Sequence, residues 1–198
     1  LSSIPGGGAE ILTDRMRKEI SPGKCTADEW LDVMRTAHEE GLKTSATMMF
    51  GAGETGPELV EHLNRIRTLQ DETGGFFGFT PWNVQLKGTL MEETVRETIS
   101  PVEYLKVLSL SRIFLDNVKN IQVSWLTQGL AVGQLALHFG ANDVGSIMIE
   151  ENVMSVAGAS HAATRDDLIE LIERAGFIPA QRNTTYSNFE LRTSSAGV

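Results

Sequence analysis

The sequence predicts an α/β fold built around a parallel sheet, and two patterns support this prediction. Short apolar segments alternate with amphipathic helices along most of the 198 residues, an order that is typical of βα units. Helix start signals recur between the apolar segments, as a Ser or Thr followed three residues later by an acidic residue. The same alternation continues through most of the chain, so one architecture is expected for it.

Five short apolar segments are predicted to be strands, and they end near Ile4, Phe50, Thr80, Trp125 and Ile149. A complete TIM-type barrel needs eight strands and about 250 residues. The fold is therefore expected to be the C-terminal portion of a TIM-type (β/α) barrel with about five βα units. Residues 1–186 are expected to form this part and residues 187–198 a polar tail. Two open sheet edges would follow, which favours poor solubility or pairing with another half.

Helices are predicted where start signals precede apolar residues at helical spacing. These signals are Thr26–Glu29, Thr55–Glu58, Ser100–Glu103 and Thr164–Asp167. A shorter helix is predicted over Val132–Phe139.

Composition excludes several classes of function. With 17 basic and 26 acidic residues the net charge is −9, which argues against a nucleic-acid partner. No apolar run approaches the roughly 20 residues of a membrane span, so no membrane partner is expected. The single cysteine, Cys25, excludes an intrachain disulfide and indicates a reducing compartment, so a cytoplasmic location is expected. No metal site built from several cysteines of this chain is possible.

Candidate catalytic residues are sought after the strands, because the site of a βα barrel forms at the carboxyl ends of its strands. Glu150 and Glu151 follow the apolar segment Ser146–Ile149, and one of the two carboxylates is expected to point inward. An inward carboxylate at a barrel mouth is costly unless it has a partner. Glu150 and Glu151 are therefore the candidate catalytic pair.

Two further carboxylates, Glu10 and Glu54, come a few residues after a strand end. Each could hold a ligand's amine or ribose hydroxyls, or could be a charge at the beginning of a helix. The structural alternative is favoured for Glu54, which directly precedes Thr55, whereas both readings stay open for Glu10. The run Gly6–Gly8 could bring backbone amides to a ligand or could form a tight turn.

Aromatic and thiol side chains give no reaction by themselves. Trp82 and Trp125 could stack on an aromatic substrate, or could equally fill the core. The four histidines lack metal-ligand spacing and are expected to be packing or surface residues. Cys25 has no paired base in view and is expected to be inert. No set of nucleophile, base and acid is evident.

The strand-end segments, taken in order, resemble the radical S-adenosylmethionine superfamily in its menaquinone-pathway, futalosine branch. The resemblance is carried by Ser3–Leu12, Trp30–Phe50, Leu69–Phe76, Ser124–Gly129, Phe139–Val153 and Pro179–Thr184. It implies S-adenosyl-L-methionine and a [4Fe-4S] cluster as cofactors, a reductant for the cluster, and cyclisation of the small molecule dehypoxanthine futalosine. Related alternatives are aminodeoxyfutalosine synthase, an FO synthase subunit, or a non-catalytic small-molecule-binding half barrel.

The resemblance also implies roles for particular residues. In such families a GxIxGxxE-like stretch contacts the adenine, and Thr47–Glu54 matches it at Met49, Gly51 and Glu54. Together with Glu10 these are the expected cofactor-binding residues. The expected substrate residues are Gln85, Trp125 and Gln128. Two departures reduce the match, because Ala52–Gly53 lacks the histidine usual after the glycine and Val84–Lys87 differs from a Phe-Gln-Pro pattern.

The largest departure from the superfamily is the missing CxxxCxxC motif. Three thiolates hold the cluster in that motif, and Cys25 cannot replace them. The motif belongs to the loop after the first strand of the barrel, so the chain is expected to represent the C-terminal part of such an enzyme. By itself it is expected to be inactive. A start codon at Leu1 would favour the binding-protein alternative, and an upstream CxxxCxxC segment the enzyme.

Overall fold

A parallel sheet organises the chain, as the sequence predicts. The computed structural model describes residues 3–93, 95, 98–147 and 161–193. Strands β1 (Ser3–Ile4), β2 (Lys43–Phe50) and β3 (Phe76–Asn83) are parallel and adjacent in this order. Two single parallel bridges, Phe79 with Ile121 and Gln122 with Asp143, extend the sheet by two strand positions. The described residues therefore form an α/β fold with five parallel strand positions, consistent with a partial β/α barrel.

The extents of three predicted strands are wrong. β3 continues to Asn83 rather than Thr80, because Met48–Phe50 stay in register with Pro81–Asn83. Trp125 does not end a strand but begins a short helix, since the preceding Ser124 amide donates to a tyrosine hydroxyl instead of a neighbouring strand. The fifth strand position lies at Asp143. Of the predicted strand Ser146–Ile149, Ser146 and Ile147 are not in a strand, and the remaining two residues lie outside the described ranges.

The main helices begin where the sequence predicts them. They are α2 (Ala27–Glu39), α3 (Gly56–Thr73), α4 (Pro101–Phe114) and α7 (Arg165–Arg174), and each is preceded by a capping box. In each box the acidic side chain accepts a hydrogen bond from the cap residue's amide, which satisfies a donor that the helix leaves free. The C-cap of α3 is Gly74 with φ 60°, a conformation that suits glycine.

The remaining elements are short. They are α1 (Asp14–Ile20), a 3₁₀ turn (Leu90–Glu93), α5 (Trp125–Gln128), α6 (Leu130–Ala136) and the antiparallel strands β4 (Ala180–Arg182) and β5 (Phe189–Leu191). α1 and the β4–β5 hairpin have no counterpart in the predicted elements. The helix expected over Val132–Phe139 begins and ends earlier, as α6. β5 falls within the segment expected to be a polar tail.

The core lies between the sheet and the helices. Leu63, Ile66 and Leu69 of α3 are buried with Met48 of β2 and Phe79 of β3, and each such side chain contributes about 1.5–3 kcal/mol when fully buried. This packing fixes the carboxyl ends of the strands relative to the helix beginnings. Among the helices of the described ranges, none has the length and apolar character to cross a bilayer.

The β4–β5 hairpin packs at the amino ends of the strands. The Arg182 guanidinium pairs with the Asp143 carboxylate and lies 4.0 Å from the centre of the Tyr186 ring. Tyr186 in turn contacts Phe77 at the beginning of β3, with 5.7 Å between ring centres. The opposite ends of the strands carry the loops where the candidate site residues lie.

Candidate functional site

The loop after β1 is held by donors from the body of the molecule. Five consecutive carbonyls accept hydrogen bonds: Gly6 from Thr47 Oγ1, Gly7 from Trp30 Nε1, Gly8 and Ala9 from Arg17 Nη1, and Glu10 from the Met49 amide. A side chain at Gly6 would place a Cβ 2.2 Å from the Ser45 carbonyl oxygen, so only glycine fits this close approach. The loop therefore has a fixed path across the end of the sheet.

Arg17 of α1 is the centre of this arrangement, and no sequence pattern marks it. The side chain is buried, and besides Gly8 and Ala9 it donates to the Cys25 carbonyl at 2.7 Å, with Cys25 Sγ at 3.4 Å. Its described partners are thus carbonyls and a thiol. Arg17 therefore joins the loop after β1, here called the glycine loop (Gly6–Glu10), to the loop before α2.

Glu10 occupies the end of the glycine loop. Its φ is 44°, one of two positive φ values at non-glycine residues in the described part of the chain. Only 13% of its side chain is exposed, and its carboxylate pairs with the ammonium of Lys24. The structure therefore places Glu10 at the carboxyl ends of the strands and pairs it with Lys24. The sequence did not predict this cationic partner.

Glu54 binds its own loop. Its two carboxylate oxygens accept from the amides of Gly51 at 2.6 Å and Ala52 at 2.8 Å. The sequence favoured a charge at the beginning of a helix for Glu54, whereas in the structure its carboxylate binds the loop amides that precede the helix. The four expected cofactor-binding residues thus form two bonded pairs, since the Met49 amide donates to the Glu10 carbonyl and the Gly51 amide to Glu54.

Two of the expected substrate residues converge on Asn83. Gln128 Nε2 donates to Asn83 Oδ1 at 2.6 Å, and Gln85 Nε2 approaches the Asn83 carbonyl at 3.2 Å. Trp125, the third, is 4% exposed and packs in the core. Asn83 was not selected from the sequence, although it follows the strand end predicted at Thr80.

Tyr104 of α4 is a second residue that the sequence reading missed. Its hydroxyl donates to the Pro81 carbonyl at 3.2 Å and accepts from the Ser124 amide at 2.8 Å. Burial raises the pKa of Tyr104 above its ordinary value, so the hydroxyl stays protonated. The hydroxyl therefore links β3 to the beginning of α5, the helix that carries Trp125 and Gln128. The one sequence feature that could have pointed to Tyr104 is an aromatic residue at a buried position of α4.

The candidate catalytic pair, Glu150 and Glu151, lies outside the described residues. Within the described ranges, no group of three or more His, Cys, Asp and Glu side chains could hold a metal ion. The Cys25 sulfur contacts Arg17 rather than a second ligand. The described residues therefore do not fit a [4Fe-4S] cluster, which agrees with the absence of a CxxxCxxC motif from the sequence.

A cleft of about 540 Å³ lies beside the fifth strand position. It is bounded by the Asp143–Ile147 segment, α7 and the β4–β5 hairpin, with largely apolar walls. None of the expected site residues among the described residues lines this cleft. The loops after β1, β2 and β3 are therefore the better candidate for a ligand site.

Comparisons with known proteins agree with the resemblance. The family model described as "CofH/MqnC C-terminal region" matches residues 73–195. The chain is 47% identical over 196 residues to the cyclic dehypoxanthine futalosine synthase of Streptomyces coelicolor, covering 99% of the chain and 49% of that protein.

Two other enzymes are similar over most of the chain. A 5-amino-6-(D-ribitylamino)uracil–L-tyrosine 4-hydroxyphenyl transferase of Methanococcus maripaludis is 42% identical, covering 96% of the chain and 54% of that protein. The aminodeoxyfutalosine synthase of Thermus thermophilus is 38% identical, covering 94% of the chain and 51% of that protein. The chain thus spans about half the length of the curated relatives it matches.

Proposed function

From the premise that this chain belongs to the CofH/MqnC family, through its C-terminal region, we propose that it forms part of a radical S-adenosylmethionine enzyme that cyclises dehypoxanthine futalosine. The observation that carries the proposal is the 47% identity to a cyclic dehypoxanthine futalosine synthase over 99% of the chain. The related transferase is similar over nearly the same length, so substrate identity is the point to test.

We propose that the loop after β1 holds S-adenosylmethionine, which supplies the radical chemistry when bound. The fit rests on Glu10, whose largely buried carboxylate already pairs with the ammonium of Lys24 and can bind the ligand's amine. Met49 and Gly51 would lie beside the adenine, with Glu54 holding their loop in shape.

The substrate is proposed to meet the neighbouring loops. Gln128 at the end of α5 and Asn83 at the end of β3 are hydrogen-bonded to each other, and such an amide pair can donate to and accept from ribose hydroxyls. Gln85 is the further candidate for substrate contact, whereas Trp125 is 4% exposed and would support these residues from the core. Glu150 and Glu151 stay candidates for proton transfer.

The chain alone is proposed to be inactive. A [4Fe-4S] cluster of this superfamily needs three thiolates, and the sequence contains one cysteine. The residues of this chain would therefore bind and orient S-adenosylmethionine and the substrate. The cluster ligands would come from another polypeptide segment, and the electron from a reductant.

The test combines this chain with the part of the Streptomyces relative that it does not span. The two polypeptides are mixed or fused, the cluster is reconstituted without oxygen, and products are identified by mass spectrometry. Cyclic product is expected with dehypoxanthine futalosine only when both polypeptides are present.

Three results would contradict the proposal. Turnover by the chain alone would overturn its inactivity. Turnover of the substrates of the aminodeoxyfutalosine synthase or the tyrosine transferase, but not of dehypoxanthine futalosine, would assign the chain to that relative's reaction. Binding without turnover in the combined protein would favour a non-catalytic role.

A further inference from the structure

We infer that the β4–β5 hairpin closes the amino end of the sheet face that points away from α3, with Tyr186 as the closing side chain. This face is called the inner face below. The hairpin lies at the end of the sheet opposite the loops after β1, β2 and β3. The inference rests on the proposed function only in its purpose, which is to keep solvent away from a reaction at those loops.

The inner face is identified by the contacts of the opposite face. The Phe79 ring of β3 lies 6.1 Å from the His62 ring of α3, measured between ring centres, so Phe79 points toward the helix. Successive side chains of a strand alternate between its two faces. Gly78 therefore lies on the inner face, and so does Ser45 of β2, its partner in the ladder.

Polar side chains continue along the inner face from strand to strand. The next inner positions of β2 and β3 are Thr47 and Thr80, which are paired in the ladder. Gln122 and Asp143 extend the row, since residues beside them in the sequence are buried in the core: Ile121, Val123 and Val144. The interior of a complete βα barrel is usually filled by branched apolar side chains. A face of hydroxyl, amide and carboxylate groups binds water instead, so excluding solvent from it requires a cover.

Tyr186 covers the amino end of the inner face. A Cβ added to Gly78 would lie 3.4 Å from the Tyr186 hydroxyl oxygen, and the centres of the Tyr186 and Phe77 rings are 5.7 Å apart. The Arg182 guanidinium lies 4.0 Å from the centre of the Tyr186 ring and pairs with Asp143, which belongs to the inner face. Burial and the Asp143 carboxylate raise the pKa of Tyr186 above its ordinary value, so the hydroxyl stays neutral.

The backbone of the hairpin gives independent support. Tyr186 has a φ of 56°, in the left-handed region that bulky side chains adopt at a cost. The Asn183 side chain holds this turn, because its Oδ1 accepts from the Ser187 amide at 2.9 Å and its Nδ2 donates to Ser187 Oγ at 2.8 Å. The turn thus carries a tyrosine where its backbone favours glycine, which indicates that the side chain has a role of its own.

The test measures how fast a small reagent reaches the inner face. The chain is fused to the part of the Streptomyces relative that it does not span, and Thr80→Cys places a thiol two residues beyond Gly78 on the inner face. Labelling of the peptide that contains residue 80 by methyl methanethiosulfonate is followed by mass spectrometry. Tyr186→Ala is expected to raise the labelling rate at least about tenfold, because local opening limits access to an enclosed group. Tyr186→Phe keeps the ring and is expected to keep the slow rate.

Phe189→Ala is the matched control, since it removes an exposed aromatic ring of the same hairpin and is expected to leave the rate unchanged. Hydrogen exchange in the 198-residue chain is a second measurement that needs no fusion. There Tyr186→Ala, but not Phe189→Ala, should speed exchange of the Phe79 and Gln122 amides at the amino end of the sheet.

Three results would overturn the closing role of Tyr186. They are rapid labelling with the hairpin unaltered, equal labelling rates with and without the Tyr186 ring, and unchanged hydrogen exchange in Tyr186→Ala. Circular dichroism checks that each variant is folded. Neither measurement requires turnover, so a failure of the proposed function and a failure of this inference are seen separately.

Discussion

At the scale of single residues, the buried imidazole of His62 supports the segment that follows the glycine loop. Its Nδ1 accepts from the Leu12 amide at 3.0 Å, which places the ring proton on Nε2. Nε2 is buried without a hydrogen-bond partner among the described residues. Burial, aided by the charge of Arg17, lowers the pKa of His62 to about 3. The ring is therefore neutral in the folded protein at ordinary pH.

His62 predicts a loss of stability in acid. Below its ordinary pKa of 6.5 the unfolded chain gains a proton that the folded chain cannot take up until about pH 3. The free energy of unfolding should therefore fall with falling pH across this window, by up to about 1.4 kcal/mol per pH unit from this group. Urea unfolding at several pH values should show a shallower dependence for His62→Gln.

Exposed His161 supplies the control for this prediction. His161→Gln removes an exposed imidazole instead of the buried one, and its urea unfolding is measured at the same pH values for comparison. An unchanged pH dependence in His62→Gln would mean that the buried ring is not the group responsible.

The Tyr104 hydroxyl is expected to contribute measurably to the stability of the protein. Tyr104→Phe keeps the ring packed on Phe50, 6.0 Å away between ring centres, but leaves the Ser124 amide and the Pro81 carbonyl without this partner. A loss of about 1–3 kcal/mol in the free energy of unfolding is expected. Urea unfolding measures this loss. A change below about 0.5 kcal/mol, the range usual for surface substitutions, would show that the hydroxyl does not stabilise the protein through these two contacts.

At the scale of elements, the β4–β5 hairpin depends on one ion pair. Asp143 is buried, with 5% of its side chain exposed, and pairs with Arg182 of β4. The hairpin is only three residue pairs long, so its own ladder is too short to be stable in isolation. Its position at the amino ends of the strands must therefore come from Asp143, Arg182 and Tyr186.

Removing the cation should detach the hairpin. Arg182→Met leaves the buried Asp143 carboxylate unpaired, which is expected to cost about 3–5 kcal/mol. Arg192→Met is the matched control on the same hairpin, because Arg192 pairs with the exposed Glu190 and such pairs contribute less than about 1 kcal/mol. Thermal unfolding compares the two variants, and equal losses would contradict a special role for Arg182.

At the scale of the whole molecule, apolar side chains remain exposed along one side. Ile147, Phe177, Ile178 and Phe189 line the cleft beside the fifth strand position and are all exposed. Contiguous exposed apolar groups beside an open sheet edge favour association. The sequence already predicted poor solubility or pairing with another half, and the structure shows which side chains would take part.

The isolated chain should therefore associate through this cleft. Replacing Ile178 and Phe189 by Ser is expected to shift the chain toward monomer in light scattering over a range of concentrations. Ile113→Ser on α4 is the control, since Ile113 and Ile178 are both 77% exposed but Ile113 lies outside the cleft lining. A monodisperse monomer at every concentration of the unaltered chain would contradict the prediction.

The sequence by itself determined the α/β class with a parallel sheet, the main helices and the family. Alternating apolar segments and capping boxes are local patterns, so the beginnings of α2, α3, α4 and α7 could be predicted from residues three positions apart. The count of one cysteine likewise needed no structure to exclude a cluster held by this chain alone.

Only the tertiary structure decided which partners the polar side chains have. Glu54 turns to its own loop while Glu10 meets Lys24, and Asn83 gathers Gln85 and Gln128. The Glu10–Lys24 and Asn83–Gln128 contacts join residues that are 14 and 45 positions apart, and no local pattern encodes such a contact. The strand ends were also misplaced for this reason, because a ladder continues or stops according to its neighbour strand, as with β3 against β2.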